Sequence, residues 1–142
     1  MKLTPLRFDH AGYAVENIQR SLDDFLRPLF QPRHVGPIIE DPIQKVRVCF
    51  VTLDGGARLE LIEPLGTDSP ISRLLESGHG GLYHCCFIAE RLDDLVAAFV
   101  ARGFTIASEP QPALAYGGRR VVFLFGLDTG LFELVEAPRQ PI

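Results

Sequence analysis

The chain has 142 residues, 46% of them hydrophobic and 23% charged, with a formal net charge of −4. This suits a soluble globular protein of one domain, or of two small halves sharing a core, that needs no disulfides to bury that core. Mild acidity without a Lys/Arg cluster argues against nucleic acid and anionic membrane as partners, and no apolar run reaches the roughly 18 residues of a membrane span.

In chain order, Met1-Lys2-Leu3-Thr4-Pro5 offers no apolar signal core, which points to a cytoplasmic protein. Arg7 to Val15 reads as a strand. Ile18, Leu22, Phe25, Leu26 and Leu29 then fall on one helical face, with Pro28 and Pro32 marking the helix end. Lys45 to Leu53 is rich in β-branched and aromatic residues, and Asp54-Gly55-Gly56 turns it tightly into Ala57 to Glu63. Asp68 to Gly78 reads as a short connecting helix, with Ser69 as cap, Pro70 in the first turn and Gly78 at the end. Gly81 to Ala89 is a second leading strand. Leu92, Leu95, Val96, Phe99 and Val100 mark a helix that stops at Gly103. Strands follow near Thr105, at Val121 to Phe125 and at Gly130 to Val135. Cys49, Cys85 and Cys86 form no CxxC spacing and no even set, so they read as buried thiols in a reducing compartment.

The chain repeats itself. His10-Ala-Gly-Tyr-Ala-Val-Glu16-Asn-Ile18 matches His84-Cys-Cys-Phe-Ile-Ala-Glu90-Arg-Leu92, and the two histidines stand 74 residues apart. Arg58-Leu-Glu60-Leu-Ile-Glu-Pro64 matches Phe132-Glu133-Leu-Val-Glu-Ala-Pro138, with Glu60 and Glu133 73 apart. One indel therefore separates two β-α-β-β-β halves, an α+β architecture. A single domain spans 1–142, with module one at about 6–66, a linker helix at about 68–78 and module two at about 80–138.

Alternation along a strand puts each of these four polar residues on a face with apolar neighbours: Glu60 with Ile62, Glu133 with Leu131 and Val135, His10 with Phe8, His84 with Leu82. A buried carboxylate is costly unless it is protonated, paired or bound to metal. If a twofold axis relates the halves, His10, Glu60, His84 and Glu133 can meet at one divalent ion. Two imidazoles and two carboxylates suit Mn, Fe, Co, Ni or Zn, and their net charge balances the ion.

These residues resemble the vicinal oxygen chelate superfamily of glyoxalase I, bleomycin-resistance proteins and extradiol dioxygenases. The subgroup most resembled is methylmalonyl-CoA epimerase. The motifs that carry this are Asp9-His10-Ala-Gly-Tyr-Ala-Val15, Leu59-Glu-Leu-Ile-Glu-Pro-Leu65-Gly66, Asp68-Ser-Pro-Ile71, Gly80-Gly-Leu-Tyr-His84 and Phe132-Glu-Leu-Val-Glu136. The resemblance implies paired βαβββ modules whose sheets curve around one metal held by the same four residues, and a homodimer. It implies that the metal holds two substrate oxygens and stabilises an enolate while a carboxylate moves the adjacent proton. The expected activity is that of an isomerase, epimerase or lyase on an enolisable carbonyl or a CoA or glutathione thioester. Glu133 is expected as ligand and base, with Glu60 or Glu40 assisting. Gln44, Arg119 and Tyr116 are expected at the substrate, although a salt-bridged strand end is the stronger expectation for Arg119 and Arg120.

The chain departs from the epimerase pattern in two places. The family's Pro-Glu-x-Gly-Val reads Pro42-Ile43-Gln44-Lys45-Val46, so Ile43 replaces a catalytic glutamate; Glu40 and Asp41 lie on the same loop. The His-Pro that follows Phe-Leu in the family is absent, since Phe123-Leu124 continues into Phe125-Gly126. A ligand-sequestering binding protein and an Fe(II) dioxygenase using His10, His84 and Glu133 are the alternatives. His34 and His79 are expected in solvated loops, and Asp23-Asp24 and Asp93-Asp94 as solvated residues early in helices.

Overall fold

The computed structural model describes residues 2–139; the outer ends of the expected 1–142 domain, Met1 included, lie outside the described residues. The chain divides into two compact units. One is His10–Tyr83; the other is everything up to Asp9 together with everything from His84 onward.

The first unit takes β1 (Arg7–Ala14) from His10 on, then α1 (Ile18–Ser21), β2 (His34–Val35), β3 (Ile39–Asp41), β4 (Val46–Thr52), β5 (Arg58–Pro64) and α2 (Pro70–Glu76). Its strands lie in the order β2-β4-β5-β1, with β3 also on β4. β1 runs parallel to β5, and β4 runs antiparallel to its neighbours. The second unit takes β6 (Gly81–Ala89) from His84 on, then α3 (Leu92–Ala101), β7 (Thr105–Pro112), β8 (Arg120–Gly126) and β9 (Gly130–Glu136). Its order is β6-β9-β8-β7, again with first and last strands parallel. The α+β class and the paired βαβββ modules expected from the sequence are both present.

Each unit buries its own core. In the first, Ile18, Leu22 and Leu26 pack on Cys49, Val51 and Leu61. In the second, Leu92 and Leu95 pack on Val122, Leu124 and Leu134, with Leu3 and Leu6 of the N-terminal segment against the same cluster. Leu61 and Leu134 are fully buried, and each such side chain contributes about 1.5–3 kcal/mol. The three cysteines are free, as expected, but only Cys49 and Cys86 are buried; Cys85 is half-buried. Burial among apolar neighbours pushes the Cys49 thiol up from its ordinary value.

Several local expectations need correction. The first helix does not end at Pro28. It widens into π-type turns over Leu22–Phe30 and stops at Gln31, whose φ of 46° is left-handed. Wider turns relax the clash between a proline ring and the preceding carbonyls. They also space same-face residues more than 3.6 apart, so Ile18, Leu22 and Leu26 are buried while Leu29 is rotated out and 76% exposed. The second strand of the first module is split into β2 and β3, pieces too short to show a period of two, and exposed His34 lies in β2 rather than in a loop. Asp93 and Asp94 are ion-paired rather than merely solvated, with Arg120 and Arg91.

Candidate functional site

The same register sets a histidine beside a glutamate in each unit. On β1, Gly12 pairs with Glu60 of β5, and His10 lies two residues before Gly12 on the same face. On β6, Cys86 pairs with Glu133 of β9, and His84 lies two residues before Cys86. Parallel pairing of first and last strands therefore brings together residues about 50 positions apart in sequence.

Within the first unit, His10 Nε2 stands 3.4 Å from Glu60 Oε1; within the second, His84 Nε2 stands 3.1 Å from Glu133 Oε1. All four side chains are buried, His10 completely. Charge-assisted N–H···O bonds close at about 2.7–2.9 Å, so both pairs are looser than strong ion pairs. Two ligands each about 2.1 Å from one ion stand about 3.0 Å apart at a right angle and about 3.4 Å apart at a tetrahedral angle. The donor types and their separations in both units fit chelation.

Each histidine also carries an aromatic partner that sequence reasoning missed. The Phe50 ring meets the His10 ring edge-on at 5.3 Å, and the Phe123 ring meets that of His84 at 5.4 Å. Phe50 lies opposite Glu60 and Phe123 opposite Glu133. The signal was available, because 50 and 123 have the 73-residue offset of the glutamates.

A second duplicated feature clamps each module. Arg47 Nη1 donates to Glu63 Oε2 at 2.8 Å, and Arg120 Nη2 donates to Glu136 Oε2 at the same distance. Arg47 and Arg120 are again 73 apart, as are Glu63 and Glu136. Glu63 also accepts from the Ile18 amide at the start of α1, and Arg120 also donates to Asp93 in the first turn of α3. Each clamp thus fastens the last strand to the helix. Hydrogen bonding to Arg120 holds the Glu136 carboxyl below the usual carboxylate range.

The remaining expected site residues are placed as follows. Glu40 faces Arg47 across the β3–β4 pair and accepts from its Nε at 2.9 Å, with 61% of its side chain exposed. Asp41 is buried and its Oδ1 accepts from the Ile43 and Gln44 amides, shaping the β3–β4 turn. Ile43 is half-exposed. The Gln44 side-chain nitrogen is buried and makes no hydrogen bond among the described residues. Arg119 donates to the carbonyls of Tyr116 and Glu136 and lies over the buried Tyr116 ring. Arg119 and Tyr116 therefore close the β7–β8 connection. His79 is exposed, with its Nδ1 2.8 Å from Ser77 Oγ.

Residues 9–123 match the Glyoxalase/Bleomycin resistance protein/Dioxygenase superfamily. The chain belongs to this superfamily. Mitochondrial methylmalonyl-CoA epimerase of Bos taurus is 32% identical over 134 residues, 92% of this chain and 74% of that protein. Ethylmalonyl-CoA/methylmalonyl-CoA epimerase of Cereibacter sphaeroides is 29% identical over 126 residues, 86% of this chain and 90% of that one. Among solved structures, a variant of Streptomyces coelicolor methylmalonyl-CoA epimerase in complex with 2-nitronate-propionyl-CoA superposes with a TM-score of 0.78 at 26% identity, covering 97% of this chain and 100% of that one. Relatives that are epimerases of the superfamily support an enzyme here. No helix among the described residues is long and apolar enough to cross a membrane.

Proposed function

We propose that the chain is a metal-dependent isomerase of the epimerase kind, moving the proton on the carbon next to a thioester carbonyl. The buried His–Glu pair that recurs in both units with one register is the observation that carries this. One pair offers two donors, fewer than the three or four that a catalytic divalent ion takes from protein. Both pairs are therefore assigned to one ion, with His10, Glu60, His84 and Glu133 as ligands and Mn, Fe, Co, Ni or Zn as suitable metals. Such an ion supplies Lewis-acid stabilisation of negative charge on the substrate oxygens.

The chain's own residues move the proton. Glu133 takes it from the acidic carbon, and Glu60 assists on the opposite face. The buried amide of Gln44 is suited to donate to a substrate oxygen, since an unmet buried donor costs about 1–3 kcal/mol until one arrives. Glu40 has no catalytic part in this scheme, because Arg47 already holds its charge, and Arg119 and Tyr116 serve the loop they close. The substrate class follows the relatives: a CoA thioester with an acidic α-carbon. The proposal includes a homodimer, which sedimentation checks, and a cytoplasmic location.

The test is α-proton exchange of methylmalonyl-CoA in D2O followed by NMR. Exchange should be lost on chelation and return with one equivalent of a divalent ion. A purified chain that takes up metal yet exchanges no proton on any thioester or hemithioacetal would overturn the proposal.

A further inference from the structure

The two units differ on the face that carries the His–Glu pair. In the first, Thr52 lies opposite Arg58 and Phe50 opposite Glu60, so all four side chains share that face. The Arg58 guanidinium lies over the Phe50 ring, 4.5 Å from its centroid, and the His10 ring meets the same ring edge-on. In the second unit, Phe125 lies opposite Leu131 and Phe123 opposite Glu133. Leu131 thus holds the place of Arg58, and Phe125 that of Thr52.

The strand pair does not need a cation at this place, since the second unit builds it with leucine. Arg58 is only partly exposed, and stacking on an aromatic face restrains a guanidinium in one orientation. A restrained fork binds an oxyanion without a large ordering cost. We infer that Arg58 is a substrate-binding residue that recognises an oxyanion of the substrate, either a carboxylate on the reacting acyl group or a phosphate of its carrier. This rests on the function proposed above and narrows its substrate to an anionic acyl thioester.

The test titrates the purified full chain, Arg58→Leu and Arg58→Lys with methylmalonyl-CoA, propionyl-CoA and malonate by calorimetry. Leucine is the residue that the fold already accepts at the equivalent place. Arg58→Leu should weaken methylmalonyl-CoA and malonate about tenfold or more while propionyl-CoA changes less than about twofold, with partial recovery in Arg58→Lys. Equal weakening of both CoA thioesters, with malonate unchanged, would assign the anion to the CoA phosphates and keep the role of Arg58. Equal affinities in wild type and Arg58→Leu, or a wild type that binds none of the three, overturns the inference. A wild type that binds these anions in an Arg58-dependent way but exchanges no α-proton would instead overturn the proposed function.

Discussion

The unit His10–Tyr83 and the unit that begins at His84 share one frame and differ on its flank. Both place a histidine on the first strand, a glutamate on the last and a phenylalanine opposite that glutamate. Both fasten the last strand to the helix with an arginine–glutamate clamp. They part at Arg58 against Leu131 and Thr52 against Phe125. What the halves share is what the proposed metal site would need: a histidine and a glutamate, a packed ring and a rigid strand. What they do not share is free to recognise different parts of a substrate.

Replacing the glutamates should break the likeness most strongly. Glu133→Gln should lower α-proton exchange by about 100-fold or more, while Glu60→Gln should first weaken metal binding. Exchange rates and metal content measured on both variants separate base from ligand, and identical behaviour would remove that distinction. Next come Leu61→Ala and Leu134→Ala, equivalent positions in the two cores. Each should cost about 2–5 kcal/mol in urea unfolding, and a loss confined to one of them would show that the cores are unequally packed. Phe50→Leu and Phe123→Leu should each weaken metal binding about tenfold by freeing the histidine ring, read by competition with a chromophoric chelator.

The smallest effect concerns the second clamp. Because the Glu136 carboxyl is depressed by Arg120, its contribution is present above the ordinary carboxylate range and is lost as pH falls through the depressed value. Glu136→Gln should lower stability at neutral pH by roughly 0–1 kcal/mol, since the pair is partly exposed and screened. Melting curves against pH should converge for wild type and variant in acid; a gap that widens in acid would contradict the clamp.

Much of this frame was legible because duplication doubles every signal. The 73-residue offset singled out Glu60 and Glu133, and parallel pairing of first and last strands then brought each histidine to its glutamate. The same offset held Phe50 with Phe123 and Arg47 with Arg120, yet these went unread because a phenylalanine in a strand and an arginine at a strand end are ordinary there. Other features left no periodic trace. Strands β2 and β3 are two and three residues long. The widening past Leu22 is a backbone adjustment that moved Leu29 out of a face it fits at 3.6 residues per turn. The partnership of Glu40 with Arg47 depends on the β3–β4 register, which no local pattern announces.

The central claim is that the two His–Glu pairs serve one ion, and metal stoichiometry tests it most directly. Wild type, a His10→Ala/Glu60→Gln chain and a His84→Ala/Glu133→Gln chain would be reconstituted, desalted and assayed by plasma mass spectrometry, with circular dichroism to establish folding. One ion per wild-type chain and none in either folded variant is the predicted result. Two ions per wild-type chain, or a full equivalent kept by either variant, would contradict it.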